Sequence, residues 1–179
     1  MRRPPNVSWI TVTWLLAGPL LLAGLLGSVA LGDEGLVRAT ASEEATLTLF
    51  AQRDTRVDET RPTTNFGSDL TLIVGRQDAQ VGGGNAQILL WFDVSALPAN
   101  AQVQRARVEL NQIRSTNRST YRAWAEGPFQ PWGESTVSWS TKPAAINLGD
   151  SPATWDSASG WKSIFVSNIV KRWVSGGEL

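Results

Sequence analysis

The sequence of 179 residues contains neither cysteine nor histidine. Without cysteine there are no disulfide bonds, thiol nucleophiles or thiolate metal ligands, and without histidine the commonest general base and zinc ligand are missing. Any catalytic chemistry must therefore come from Asp, Glu, Ser, Thr, Tyr, Lys or Arg. Export remains compatible with this composition, because a domain with a sufficient core is stable outside the cell without disulfides.

An excess of charge is also lacking, since 16 basic side chains balance 16 acidic ones. A protein that binds nucleic acid usually carries a basic stripe, and one that binds an anionic membrane carries a polybasic patch. The balance therefore argues against nucleic acid as a partner. The length fits a single domain once a targeting segment is subtracted.

The first 30 residues have the features of an export signal. Arg2 and Arg3 are followed by an apolar, leucine-rich run without charge until Asp33. We predict a signal peptide over residues 1–30, cleaved after Ala30, and hence a secreted or cell-surface protein. The alternative is a retained anchor helix, because roughly 20 apolar residues span a bilayer. A membrane is a partner only in that case. Residues 31–44 are predicted to be a linker.

The rest of the chain, residues 45–179, is predicted to be one antiparallel β-sandwich with a short C-terminal helix. The clearest strand alternates Ala106, Val108 and Leu110 with Arg105, Arg107 and Glu109, which is typical of an antiparallel sheet with one face in water. A helix is predicted from Val166, with Ser167 as N-cap and Gly176 as stop. The predicted strands are 45–51, 70–76, 86–94, 102–113, 120–126, 136–139 and 160–166.

Four motifs resemble the DNRLRE domain, also known as carbohydrate-binding module family 96. They are the turn from Asn65 to Ser68, the strand end from Leu90 to Asp93, the stretch "PWGESTVSW" at 131–139 and the terminal amphipathic helix. The resemblance covers about residues 45–176. It implies a jelly-roll β-sandwich in a secreted or surface protein, beside neighbouring domains, with polysaccharides such as alginate as ligands.

The chain departs from the family pattern at its end. The family continues past its helix into a further strand, whereas three residues follow Gly176 here. We therefore expect a truncated domain whose last strand is missing and whose sheet has an unpaired edge.

Five residues are candidates for contact with a sugar. The ring of Trp91 can stack on a pyranose, or it can pack under a loop. Arg105, Arg107 and Glu109 line the polar side of their strand and can hydrogen-bond an acidic polysaccharide, or they form an ordinary solvated face. Trp132 can cover the end of the sandwich or stay exposed. The stretch around it, with Glu134, is predicted chiefly to pin a loop to a sheet.

Two further kinds of site have weaker support. Asp54 and Asp58, with Asp69 or Asp78, supply oxygen atoms for a structural calcium ion but follow no EF-hand spacing. A lyase or hydrolase would need paired carboxylates or a base such as Tyr121 or Lys142. The sequence therefore predicts a non-catalytic carbohydrate-binding module without a cofactor. The alternative is a structural or adhesive spacer of the same fold that binds no sugar.

Overall fold

A computed structural model describes residues 9–17, 42–77, 83–116, 119–128 and 130–176. The elements are β1 (Trp9–Ala17), β2 (Ser42–Phe50), β3 (Arg53–Asp58), β4 (Gly75–Gln77), β5 (Gly84–Trp91), β6 (Gln102–Gln112), β7 (Tyr121–Ala123), β8 (Gly127–Pro128), β9 (Ala145–Ile146), β10 (Ala153–Trp155), β11 (Gly160–Phe165) and α1 (Ser167–Val174). All pairings between these strands are antiparallel.

The largest sheet has four strands in the order β11-β6-β1-β2. Along β6, Val103, Ala106 and Val108 are buried, whereas Arg105 and Arg107 are exposed. The predicted alternation of this strand is confirmed. A register shift between Thr13 and Trp14 of β1 leaves Gln104 without a registered partner on β1, as in a β-bulge.

The main core covers the inner side of the four-stranded sheet. Val12, Val108 and Ile164 from the sheet pack with Phe92, Trp155, and Ile169 and Val170 of α1. Leu90 of β5 also packs against this core, so the three-stranded sheet β3-β5-β4 contributes to it. The described chain is mostly β, with several antiparallel sheets and one short helix, consistent with the predicted β-sandwich.

The segment predicted to be a signal or anchor helix contains a strand. Residues 9–17 form β1, which pairs with β2 on one side and with β6 on the other. Thr11, Val12 and Thr13 are β-branched and favour extended backbone, which explains why a helix does not form there. The rest of the apolar run, residues 18–30, and residues 31–41 of the predicted linker lie outside the described residues. The last three residues of the predicted linker, 42–44, belong to β2 instead. Among the residues described, no helix has the length and hydropathy needed to cross a membrane.

Two predicted strands are wrong, and besides β1 four of the described strands, β3, β8, β9 and β10, lie outside every predicted range. Residues 70–74 are irregular, and the strand there, β4, starts only at Gly75. Residues 136–139 are turn and irregular structure rather than a strand. The strand β3, with sequence RDTRVD, was not predicted, because its charged residues resemble a loop. Arg56 and Asp58 of this strand are nevertheless buried, each paired with an opposite charge.

The N-terminus of α1 is capped by a residue distant in sequence. The carboxylate of Asp150 accepts hydrogen bonds from the backbone N–H of Asn168, at 3.0 and 3.1 Å, and of Ile169, at 3.3 Å. The prediction that Ser167 caps the helix is wrong, because its hydroxyl bonds the backbone of Ala106 on β6 instead. Gly176 ends the helix with φ of +69°, as predicted.

Replacing Asp150 with alanine is expected to lower the free energy of unfolding by about 1 kcal/mol, because two N–H groups of α1 lose their acceptor. Urea unfolding followed by tryptophan fluorescence measures this change. Asp150→Asn is the matched control, since it keeps an acceptor oxygen and should lose less. Equal losses in the two variants would contradict the capping role.

Candidate functional site

The outward side of the four-stranded sheet brings several predicted site residues together. Directly opposed residues of an antiparallel pair point to the same side of a sheet. Arg107 of β6 lies opposite Phe165 of β11 and Thr11 of β1, and Asn111 lies opposite Trp161. We call this surface the outer face and define it by Thr11, Thr13, Thr46, Arg105, Arg107, Glu109, Asn111, Trp161, Ser163 and Phe165.

Contacts on the outer face hold its two arginines in place. The guanidinium carbon of Arg105 lies 4.7 Å from the centre of the Phe165 ring, a cation–π contact. The Nε of Arg107 lies 3.0 Å from a carboxylate oxygen of Glu109. The Arg107 side chain is 48% exposed and that of Glu109 is 12% exposed. Glu109 therefore orients a guanidinium that remains open to solvent.

A shallow depression of about 240 Å³ lies on this face, lined by Thr11, Thr13, Thr46, Arg105 and Arg107. The hydroxyls of Thr13 and Thr46 lie 3.3 Å apart. The lining thus offers two cationic forks and three hydroxyls to a ligand. Guanidinium groups bind carboxylates through paired hydrogen bonds, and hydroxyls both donate and accept. Such a surface suits a polar, acidic chain.

The comparison with known families decides the classification. The model of carbohydrate-binding module family 96 matches residues 45–178, which is most of the chain. The chain belongs to this family. No curated protein matches the sequence. The match begins within β2 and extends past α1, so it includes all five predicted sugar-contact residues, and β1 lies before it.

In this family 96 module, Trp91 lies in a different sheet from the outer face. It is the last residue of β5 and pairs with Arg53 of β3. The guanidinium carbon of Arg53 lies 4.8 Å from the centre of the Trp91 ring. The ring is 37% exposed, so part of it remains open to solvent while a cation covers another part. The structure therefore does not join Trp91 to the other predicted residues through a shared sheet.

Trp132 lies inside the module rather than on a binding surface. Its ring is buried with Val57 and Val137 in a second, smaller core, against which Leu89 and Trp139 also pack. Its backbone carbonyl accepts a hydrogen bond of 3.1 Å from Arg53. The ring therefore offers little surface to a sugar.

The stretch at 131–139 is fixed to the Asn65 turn. The amide of Asn65 donates to the backbone oxygens of Glu134, at 2.8 Å, and of Val137, at 2.7 Å. Gly67 belongs to the same turn and lies against this stretch. A Cβ added to Gly67 would lie 2.1 Å from the backbone oxygen of Glu134. Only glycine fits so near that backbone. The prediction that this stretch pins a loop is confirmed, although the partner is a turn as well as a sheet.

The two residues considered as catalytic bases are engaged in packing. The Tyr121 hydroxyl donates a hydrogen bond to Gln112, and its ring meets the edge of Trp155 with centroids 6.0 Å apart. Burial raises the pKa of Tyr121 above its ordinary value. The Lys142 ammonium lies 4.7 Å from the centre of the Trp139 ring. Both side chains therefore take part in packing contacts.

The carboxylates considered for calcium bind other groups. Asp58 accepts hydrogen bonds from Thr60 and Arg61, and Asp69 accepts two from Arg56. Within the described ranges, no group of three or more acidic side chains is arranged to hold a metal ion. Asp78 lies outside those ranges.

Sequence reasoning did not place two aromatic residues, Trp161 and Phe165, beside the arginines of the outer face. Trp161 is 50% exposed and Phe165 is also exposed. Their strand was predicted, and its alternation separates them from the buried Ile164. What the sequence does not contain is the register that places β11 beside β6 and so beside the arginines.

Proposed function

We propose that this module binds an acidic polysaccharide on its outer face and does not cleave it. The observation that carries the proposal is the alignment of Arg105 and Arg107 with Trp161 and Phe165 on one exposed side of adjacent strands. Family membership supports a carbohydrate as the ligand. The two arginines favour a chain that carries carboxylates over a neutral one.

The outer face offers a ligand two kinds of contact, ionic contacts and ring stacking. Residues two apart on one strand are separated by about 6.7 Å, so Arg105 and Arg107 present two cationic points along the sheet. Trp161 lies on the neighbouring strand and offers an indole on which the apolar side of a sugar ring stacks. Glu109 keeps the Arg107 guanidinium oriented. An extended polysaccharide that runs along β6 and β11 meets all of these groups.

The proposal places the module in an exported or cell-surface protein, where it holds its neighbouring domains against the polysaccharide. The predicted export signal at residues 1–30 supports this location. The family supports a jelly-roll order of strands within the sandwich. Tyr121 and Lys142 are occupied by packing, which supports binding without catalysis.

Arg107→Ala and Arg105→Ala are each expected to weaken binding of a polyuronate by about 10-fold, because a charge-assisted hydrogen bond is worth about 1.5 kcal/mol or more. Isothermal titration calorimetry at low salt measures the dissociation constants. Arg122→Ala is the matched control, since this exposed arginine lies on β7 in another sheet. It should bind as the wild type does.

Other outcomes of this titration point to other functions. Loss of binding in Trp91→Ala, with both arginine variants unaffected, would move the site to the three-stranded sheet. No binding by the folded wild type to any acidic or neutral polysaccharide would favour the structural or adhesive spacer.

A further inference from the structure

The four-stranded sheet contains a strand position that is filled from outside the family match. β1 lies between β2 and β6, which are not neighbours in the sheet order. It pairs with β2 from Trp9 opposite Phe50 to Ala17 opposite Ser42, and with β6 from Trp9 opposite Glu109 to Leu15 opposite Gln102. The family match starts only at residue 45. We call the space between β2 and β6 the strand slot.

The strand slot contacts its occupant through main-chain pairing and through the inward side chain of Val12. Val12 is 0% exposed and lies opposite Leu47 of β2 and Ala106 of β6. Val12 and Ala106 belong to the main core, and Leu47 packs against it. Thr11 and Thr13 are half-buried and line the depression of the outer face. Backbone pairing on both edges with a pocket for alternate side chains is the mode of binding by strand addition.

The slot must be occupied for the sheet to persist. Without β1, the facing edges of β2 and β6 would present unpaired N–H and C=O groups beside a buried core. The same residues 9–17 lie within the segment that the sequence predicts to be cut after Ala30. Removal of that segment would therefore cut the occupant off from the domain it completes.

We propose that the strand slot is a binding site for an extended segment with the residue pattern of 9–17, and that the chain's own N-terminal segment stays bound there after its covalent connection is cut. The pairing on two edges and the burial of Val12 are the contacts that would hold the segment. This proposal is independent of sugar binding, although release of the segment would remove Thr11 and Thr13 from the outer face.

The test uses the full chain with a protease recognition sequence inserted between residues 31 and 41. After folding, the connection is cut and the sample is passed over a size-exclusion column. We expect the N-terminal fragment to elute with the rest of the protein. A labelled peptide of residues 9–17, added in excess, should then replace the fragment over time.

A pair of variants makes the test specific to the slot. Val12→Asp, placed in the labelled peptide, should weaken binding by about 100-fold or more, because a carboxylate would enter the core. Val12→Ile keeps a β-branched apolar side chain at the same position and should lose far less binding than Val12→Asp. The far-UV circular dichroism of the cut protein is recorded throughout.

Two results would overturn the proposal. In the first, the fragment separates on cutting while the remainder keeps its spectrum and melting temperature, which would show that the slot needs no strand. In the second, the fragment separates and the remainder unfolds without recovery on addition of the peptide. That result would show that the strand cannot bind once its covalent connection is cut.

Discussion

Asp58→Ala is expected to lower the free energy of unfolding by about 3–5 kcal/mol, which is the effect of removing one partner from a buried ion pair. The Asp58 side chain is 0% exposed. It accepts hydrogen bonds of 2.9 Å from the Thr60 backbone, 2.6 Å from the Thr60 hydroxyl and 3.1 Å from Arg61. All of these donors lose their acceptor in the variant.

Arg56 increases the loss of unfolding free energy expected in Asp58→Ala. Its side chain is 7% exposed, with one guanidinium nitrogen 3.6 Å from Asp58. That nitrogen is buried and has no hydrogen-bond partner of its own. Phe66 covers the guanidinium, with its ring centre 4.0 Å from the central carbon. Without Asp58 a buried positive charge would rely on Asp69 alone.

Chemical denaturation of two single variants, Asp58→Ala and Glu59→Ala, tests the ion-pair network around Asp58. Glu59 is an exposed carboxylate in the next position and bonds Asn85, so its loss should change the free energy of unfolding by about 1 kcal/mol or less. In Arg56→Met combined with Asp58→Ala, part of the lost stability should return, because no buried charge is left uncompensated. Equal effects of Asp58→Ala and Glu59→Ala would refute the account of β3.

Trp132→Ala is expected to lower the free energy of unfolding by about 3–5 kcal/mol, as for other buried aromatic residues replaced by alanine. The indole fills the second core between Val57 of β3 and Val137 of its own loop. Its removal leaves a cavity and frees the loop from the sheet. Hydrogen exchange should therefore rise at residues 131–139 and at the turn of Asn65.

Trp124→Ala is the matched control for Trp132→Ala. It removes the same atoms from a side chain that is largely exposed, so the free energy of unfolding should change little. Urea unfolding monitored by circular dichroism serves for both variants, since each removes a fluorophore. If Trp132→Ala were as stable as Trp124→Ala, the loop would not depend on its indole.

The sequence predicts those elements of this fold whose pattern is local. The alternation of β6 and the end of α1 at Gly176 are both set by neighbouring residues, and the structure confirms them. Strand β3 is different, because the buried Arg56 is stabilised by Asp69, which lies 13 residues away, and by the ring of Phe66. No local pattern contains those contacts.

The residues of the candidate site also fall into two groups, those that a local pattern predicts and those that long-range contacts place. Arg105, Arg107 and Glu109 follow from the outward positions of a single strand, so the sequence alone groups them. Trp161 and Phe165 join them only through the register between β6 and β11. The burial of Trp132 depends on Val57, which is far away along the chain. Long-range register and packing are therefore what sequence reasoning could not supply.

The sequence of residues 9–17 is compatible with two interpretations, part of an export signal or a β-strand. A long run without charge favours an export signal. The β-branched residues Thr11, Val12 and Thr13 within it favour a strand, and the structure has one there. Cleavage after Ala30 would remove the covalent link between β1 and the rest of the domain. The strand would then either stay bound through its pairing with β2 and β6 or be lost.

The most direct test of the central claim is a binding footprint of an acidic oligosaccharide by NMR chemical-shift mapping on the folded protein. We predict shifts at Arg105, Arg107 and the Trp161 indole, and no release of reducing or unsaturated ends during the titration. Shifts confined to the three-stranded sheet, or turnover of the oligosaccharide, would contradict the claim that the outer face binds without cleaving.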